Sequence, residues 1–354
     1  MRLSDARIGY AGYSPDFSGP GDRRRFCAYA AHRGLRFEPA RIDQDYDLVL
    51  ATHNGDLAGW TARKRREGDK FKFIFELVDG YFAQRALPRR LLKGTARFFL
   101  GTDSRLSPDF LKTLIRASSA ADAVICSTPD QREVISRYNP NVFVSFDHFG
   151  DELDAPKVDY ERGDKLRIVW EGQSTTVPNL QVIREPLNDL RDRIELHVVT
   201  DPLIYRYFGR FSPYPSRDAL RGIECAKVFH HWDKATFARH IVACDLAVIP
   251  IERSNALAWA KPENKLVLLW QLGMPVLTSA TPAYGRAMAA AGLDLVCADP
   301  AEWGDKLEAM TRAQPTELAA LGKAGMEYSR SAYSQEEFDR RFDAAFQAAG
   351  FTIG

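Results

Sequence analysis

The stretch "KPENKLVLLWQLGMPVLTSATPAY" (residues 261–284) decides the fold. Residues 263–272 repeat apolar side chains with helical spacing, and Gly273 stops the run. Glycine is the expected terminator there, because it enters the left-handed turn at a helix end without a Cβ clash. The chain then restarts at 274–280, "MPVLTSA", as a buried β-branched strand. Proline suits a first helical turn, where its missing N–H has no partner in any case, so the helix is expected to start near Pro262 or Glu263. The free amides and positive dipole end of such a start suit an anion. Lys261 and Lys265 add full charges, with Glu263 and Asn264 between them. The local sequence equally allows a solvated helix start with two surface lysines.

Outward from this segment, short apolar runs alternate with helical ones. The second half offers "KLRIVWEG" (165–172), "IELHVVT" (194–200), "AKVFHHW" (226–232) and "CDLAVIPI" (244–251). Helical periodicity falls at 233–243, 282–291 and 300–312. The first half offers "ARIGYAGY" (6–13), "YDLVLAT" (46–52), "KFIFELV" (72–78), "ADAVICST" (121–128) and "NVFVSF" (141–146). Such alternation belongs to α/β folds with parallel sheets. Two successive doubly wound Rossmann-like halves follow: an N-terminal domain at 1–150, a polar linker at 151–164 and a C-terminal domain at 165–333. The segment 334–354 is expected to return to the N-terminal domain as a helix, with Phe338, Phe342 and Phe346 on one face and Ser334 as its cap. In such sheets ligands gather at the carboxyl ends of the strands, near the point where the strand order reverses.

Composition narrows the classes. A chain of 354 residues is long for one core and fits two domains. A net charge of +1 argues against a nucleic-acid binder. Five scattered cysteines with no CxxC pair read as reduced core thiols of a reducing compartment. The opening "MRLSDARIGY" has no apolar leader run, and no apolar run approaches membrane-spanning length. The expectation is a cytoplasmic protein, with attachment to the inner face of a membrane left open.

The run "DLAVIPI…KPENKLVLLWQLGMPVLTSATPAY", together with "DLVLATH" and "ADAVICSTPDQREVI", resembles Leloir glycosyltransferases of the GT-B fold, and within them glycosyltransferase family 4. The resemblance implies sugar transfer from a nucleotide-sugar donor, bound mainly by the C-terminal domain, to a glycan or lipid-linked acceptor bound by the N-terminal domain. It implies polysaccharide or lipopolysaccharide assembly as the setting, no metal and no other cofactor. The family's paired glutamates fall here on Ala260 and Leu268, and its Gly-Phe-Gly turn on Lys261-Pro262-Glu263. Donor contacts are therefore expected from Gly172, Gln173, Ser174 and Thr175 in the first loop of the domain, and from Lys261, Glu263, Asn264 and Lys265. The family places the nucleotide base against the loop that here holds His231 and Trp232.

In the N-terminal half, "SPDFSGPGDRRRF" (14–26) is a glycine-rich strand-to-helix loop without GxGxxG. Gly19, Gly21 and Arg23 are its candidate phosphate or acceptor contacts, and Asp22 is either a catalytic carboxylate or a helix cap. His53, Asp79 and Glu76 follow the second and third strands. Any of these four could act as a general base in an inverting reaction, whereas a retaining one needs only positioning and leaving-group stabilisation. There is no HExxH, no Cys/His ligand cluster and no DxD motif of the metal-dependent transferase type. Residues 61–105 hold 12 Lys/Arg against five acids, a local net charge of +7, mixed with Leu and Phe as in interfacial segments. A solvated basic surface or an acidic acceptor would explain the same run. Besides transfer, two other functions remain on the sequence alone: a nucleotide-sugar epimerase of this fold, and a catalytically silent scaffold.

Overall fold

The structure is a computed structural model, and it describes residues 1–84, 86–153, 156–207 and 211–353. Arg85 of the basic run, residues 154–155 of the expected linker and Gly354 lie outside the described residues. The chain divides into two compact units: Met1–Gly150, Ala260–Pro262 and Tyr333–Gly354 form unit one, and Asp151–Trp259 with Glu263–Ala332 form unit two.

Unit one is built on six parallel strands: β1 (Ile8–Ala11), β2 (Phe37–Pro39), β3 (Leu48–Thr52), β4 (Lys72–Leu77), β5 (Ala123–Cys126) and β6 (Val142–Val144). Their order is β2-β1-β3-β4-β5-β6, so the winding reverses between β1 and β3. Every residue of β3 and β5 is buried, as expected for central strands covered on both faces. One face carries a core of Val49, Trp60, Phe73, Phe75, Phe110 and Leu114. The helix Gln335–Ala348 helps cover the other. Ser334 caps it by accepting from the Glu337 amide, and Phe338, Phe342 and Phe346 are fully buried. Tyr29 stacks on Phe342 and Phe346 at 5.0 and 5.1 Å between ring centres.

Unit two repeats the plan with β7 (Leu166–Glu171), β8 (Ile194–Thr200), β11 (Ala226–His231), β12 (Leu246–Ile249), β13 (Val276–Ser279) and β14 (Val296–Cys297), all parallel, in the order β11-β8-β7-β12-β13-β14. An antiparallel pair, β9 (Leu203–Tyr207) and β10 (Phe211–Pro215), is inserted after β8. The fully buried Asp245 ties the switch point together, accepting from the Arg167 amide at 2.8 Å and from its guanidinium at 2.7 Å. The sequence had suggested no partner for this strand-leading acid.

The quoted stretch folds as read, with one shift. Its helix is Asn264–Gln271, one residue later than expected, and Glu263 is the N-cap residue. Gly273 takes φ +75°, and a Cβ there would meet the Lys157 carbonyl at 3.2 Å. Residues 156–164, expected as a linker, are held by this turn: the Lys157 amide donates to Leu272 O at 2.8 Å and Tyr160 Oη to Gly273 O at 2.7 Å. All five cysteines are free, and four are buried.

Candidate functional site

In unit one, His53, Asp79 and Lys261 meet. His53 follows β3 and Asp79 follows β4, both at the carboxyl edge where the sheet reverses or adjoins the reversal. His53 Nε2 lies 3.4 Å from Asp79 Oδ2, and Lys261 Nζ lies 3.1 Å from Asp79 Oδ1. Burial alone would raise the Asp79 carboxyl. The hydrogen bond from His53 and the charge of Lys261 outweigh it and hold Asp79 well below the ordinary carboxylate range. His53 is 2% exposed, and burial pushes its imidazole below 6.5 despite Asp79. The neutral ring therefore carries its proton on Nε2, toward the carboxylate. Nδ1 is left as a buried acceptor with no partner. Tyr13 and Tyr81 stand edge-on to the ring at 5.2 and 5.0 Å. Arg97 fixes the loop by donating to His53 O at 2.9 Å and Gly55 O at 2.6 Å.

The other two proposed bases are placed differently. Glu76 is fully buried and pairs with the equally buried Arg25 at 2.6 Å, which Asp147 also approaches at 3.4 Å. Burial raises its carboxyl although Arg25 opposes the rise. Asp22 is fully buried too, and braces the first loop: it accepts from Tyr10 Oη at 2.8 Å, the Tyr13 amide at 2.7 Å, and the Ser14 amide and hydroxyl at 2.9 and 2.7 Å. With both its oxygens bound in this way, Asp22 is neither a free base nor the simple helix cap that its position suggested. Gly19 joins the same brace through its amide to Ser14 Oγ at 2.9 Å, and Arg23 Nε donates to Ser18 O at 2.7 Å. Gly21 lies against the Tyr13 ring, where an added Cβ would sit 2.8 Å from Cδ2.

In unit two, Glu171, Gly172, Trp232 and Lys265 meet at the carboxyl end of β7, beside the switch point. Lys265 Nζ donates to Glu171 O and lies 4.8 Å from the centre of the Trp170 ring. Trp232 Nε1 donates to Glu171 Oε1 at 3.0 Å, and its ring stacks on Phe237 at 5.5 Å. Gly172 leaves room for this approach: a Cβ there would come within 2.4 Å of Lys265 Nζ, and the lysine's end would have to shift. Gln173 and Thr175 are exposed and Ser174 is buried; Ser174–Ile183 form a 3-10 helix that runs through Pro178. His231 is exposed at the end of β11, and Glu263 and Asn264 are half-buried at the helix start. Leu268 is 3% exposed in the core, and Ala260, in unit one, lies against Gly80, where an added Cβ would meet its methyl at 2.7 Å. Lys261, grouped with the donor contacts on the sequence, belongs to unit one and pairs there with Asp79.

Four neighbours escaped the sequence reading. Glu171 stands one residue before Gly172, the first of the contacts expected in that loop, and its place at a strand's carboxyl end was the available signal. Tyr13, Lys93 and Arg25 had none. Burial, reinforced by Arg97, pushes the Lys93 ammonium down to about 7. Among the described residues no group of three or more His, Cys, Asp or Glu side chains could hold a metal ion.

No protein-family model matches the sequence, and no curated protein does. Solved structures do. HepE from Anabaena, in complex with UDP and glucose, superposes with a TM-score of 0.61 at 10% identity over 97% of this chain and 99% of that one. WaaG, a glycosyltransferase involved in lipopolysaccharide biosynthesis, gives 0.58 at 15% identity over 97% of this chain and 100% of that one. TarM from S. aureus, with UDP and a glycerol-linked GlcNAc, gives 0.56 at 11% identity over 86% of this chain; the match spans 55% of TarM, about half its length. At these identities the likeness shows the fold. The chain has the GT-B fold of two Rossmann-like units.

Proposed function

We propose that the chain is a glycosyltransferase that moves a sugar from a nucleotide-sugar donor to a glycan or lipid-linked acceptor, with no metal cofactor, in the assembly of a cell-surface polysaccharide or lipopolysaccharide. The observation that carries this reading is the group at the switch point of unit two. Counted along the chain, the six parallel strands of the unit run 3-2-1-4-5-6, the order of the dinucleotide-binding fold. At that point stand an ammonium, Lys265, and an indole, Trp232. Lys265 is suited to a diphosphate as a charge-assisted donor, and Trp232 to the edge of a base. UDP is the first nucleotide to test, because HepE and TarM were solved with it.

Unit one supplies the acceptor chemistry in this reading. His53 Nδ1 takes the proton of the acceptor hydroxyl, and Asp79 keeps the opposite nitrogen protonated and stabilises the imidazolium that forms. The acceptor oxygen then bonds to the anomeric carbon as the bond to the diphosphate breaks, and the diphosphate leaves with the electron pair. Nδ1 is buried in the free protein, so the side chains around it have to shift for the acceptor to reach it. This favours inversion at the anomeric carbon. The test incubates UDP-sugars with and without candidate acceptors and follows UDP release. Release that depends on acceptor and collapses in His53→Ala supports the proposal. Isomerised sugar without transfer would point to an epimerase, and no nucleotide binding at all to a silent scaffold.

A further inference from the structure

The helix Leu87–Phe99 is turned inside out. With 3.6 residues per turn, Arg90, Lys93 and Arg97 share one side, and that side faces the protein. Arg90 Nε donates to Asp109 at 2.9 Å, Arg97 Nε to Asp103 at 2.7 Å, and Lys93 Nζ lies 3.6 Å from the centre of the Tyr81 ring. The opposite side, an arc of about 140° on that spacing, carries Leu87, Leu91, Leu92, Phe98 and Phe99. All five are exposed, from 37% at Phe98 to 76% at Phe99. Leu100 at 66% and Leu106 at 54%, just past the helix end, are exposed as well. Seven of the fourteen large hydrophobics that the described residues leave exposed therefore fall within twenty positions. A surface helix ordinarily buries its apolar stripe, so a contiguous exposed one marks a surface that something covers.

Charge identifies the cover. Within 86–106 the one acid is Asp103, which is 3% exposed and bound to Arg97. Arg89 and Arg105 are exposed in the same stretch, as are Lys112 and Arg116 on the helix Phe110–Ala120 that packs against it, and none has a carboxylate partner among the described residues. The basic run of 61–105 is less basic outside than its sequence suggests. Lys64 pairs with Asp122, Arg66 with Glu67, and Arg63 with both Glu67 and Asp45. The apolar face, not the total charge, therefore carries the inference. Apolar side chains rimmed by unneutralised cations, with no exposed acid, complement an anionic lipid surface. A second copy docked by twofold symmetry would set these like charges against each other. No described helix is long and apolar enough to cross a membrane.

We propose that the face of residues 87–106 docks the chain on an anionic membrane, with Leu92, Phe98 and Phe99 entering the acyl boundary and Arg89 and Arg105 meeting the headgroups. The proposal stands apart from the transferase reading, but it gives that reading a lipid-linked acceptor at the same surface. The full chain is sedimented with phosphatidylcholine vesicles, with and without phosphatidylglycerol. Binding is expected to the anionic vesicles, weaker by about tenfold on phosphatidylcholine alone or in high salt. The double variant Leu92→Glu/Phe99→Glu loses about tenfold or more in binding while its melting temperature stays put, because both side chains are exposed. Arg89→Ala/Arg105→Ala loses the preference for anionic lipid. Absence of binding, binding undiminished in the glutamate variant, or equal binding to both vesicles overturns the proposal. A dimer that Phe99→Glu dissociates, without vesicle binding, assigns the face to a second copy and overturns it as well.

Discussion

His53 is buried with Asp79 on one nitrogen, and this environment sets its pH behaviour. Its folded pKa lies below the ordinary 6.5, so it stays neutral through that pH, and kcat/KM is expected to fall only on the acid side of 6.5. An acid limb centred above 6.5 would remove His53 as the base. Stability follows the same sign. Below 6.5 the unfolded imidazole binds a proton that the folded one refuses, so this residue lowers stability as pH falls. Lys265→Ala is expected to weaken UDP binding by about 1–3 kcal/mol, the range for a charge-assisted hydrogen bond, as read by titration calorimetry. Unchanged affinity with a lowered melting temperature would make Lys265 a structural prop for β7 and Trp170. Glu76→Ala leaves Arg25 buried with only Asp147 for charge, and is expected to cost about 3–5 kcal/mol in urea unfolding. If Glu76→Ala instead folds at full stability and loses turnover, Glu76 is chemical rather than structural. Asp79 and His53 could be found from the sequence because each follows a strand's carboxyl end. The burial that separates Asp79 from Glu76 could not, since two acids three residues apart look alike until the Arg25 guanidinium closes on one of them.

At the scale of elements, the central strands were legible because parallel strands covered on both faces are written as continuous apolar runs. The edge strands β2 and β14 were not: β2 is Phe37-Glu38-Pro39 and β14 only two residues, too little apolar sequence to stand out. The β9–β10 pair was hidden by Pro213 and Pro215, since proline argues against a strand unless that strand is an edge. Gly273 was legible for a reason that can be tested. At φ +75° an alanine is strained by about 1–2 kcal/mol, and its Cβ presses on Lys157 O at 3.2 Å. Gly273→Ala should therefore lower stability by at least that amount, and no change on thermal or urea unfolding would mean that the turn can relax. The helix Leu87–Phe99 shows the limit of pattern reading. Its amphipathic spacing is plain in the sequence, but only the partners Asp103 and Asp109 reveal that its charged side faces inward.

For the whole molecule, two doubly wound parallel units could be read from the alternation of elements, and the likeness to GT-B structures over 97% of the chain agrees with that reading. What the chemistry acts on could not be read, because Ala260 and the buried Leu268 stand where the resemblance led one to expect paired acids. The central claim is that unit two holds a nucleoside diphosphate at the carboxyl end of β7. Titration calorimetry of the full chain with UDP, run beside Lys265→Ala, tests it most directly. The account predicts saturable binding of one UDP per chain, weakened about 5-fold to 150-fold by the substitution. A chain that binds neither UDP nor any other nucleoside diphosphate, or binds UDP equally well without Lys265, contradicts it.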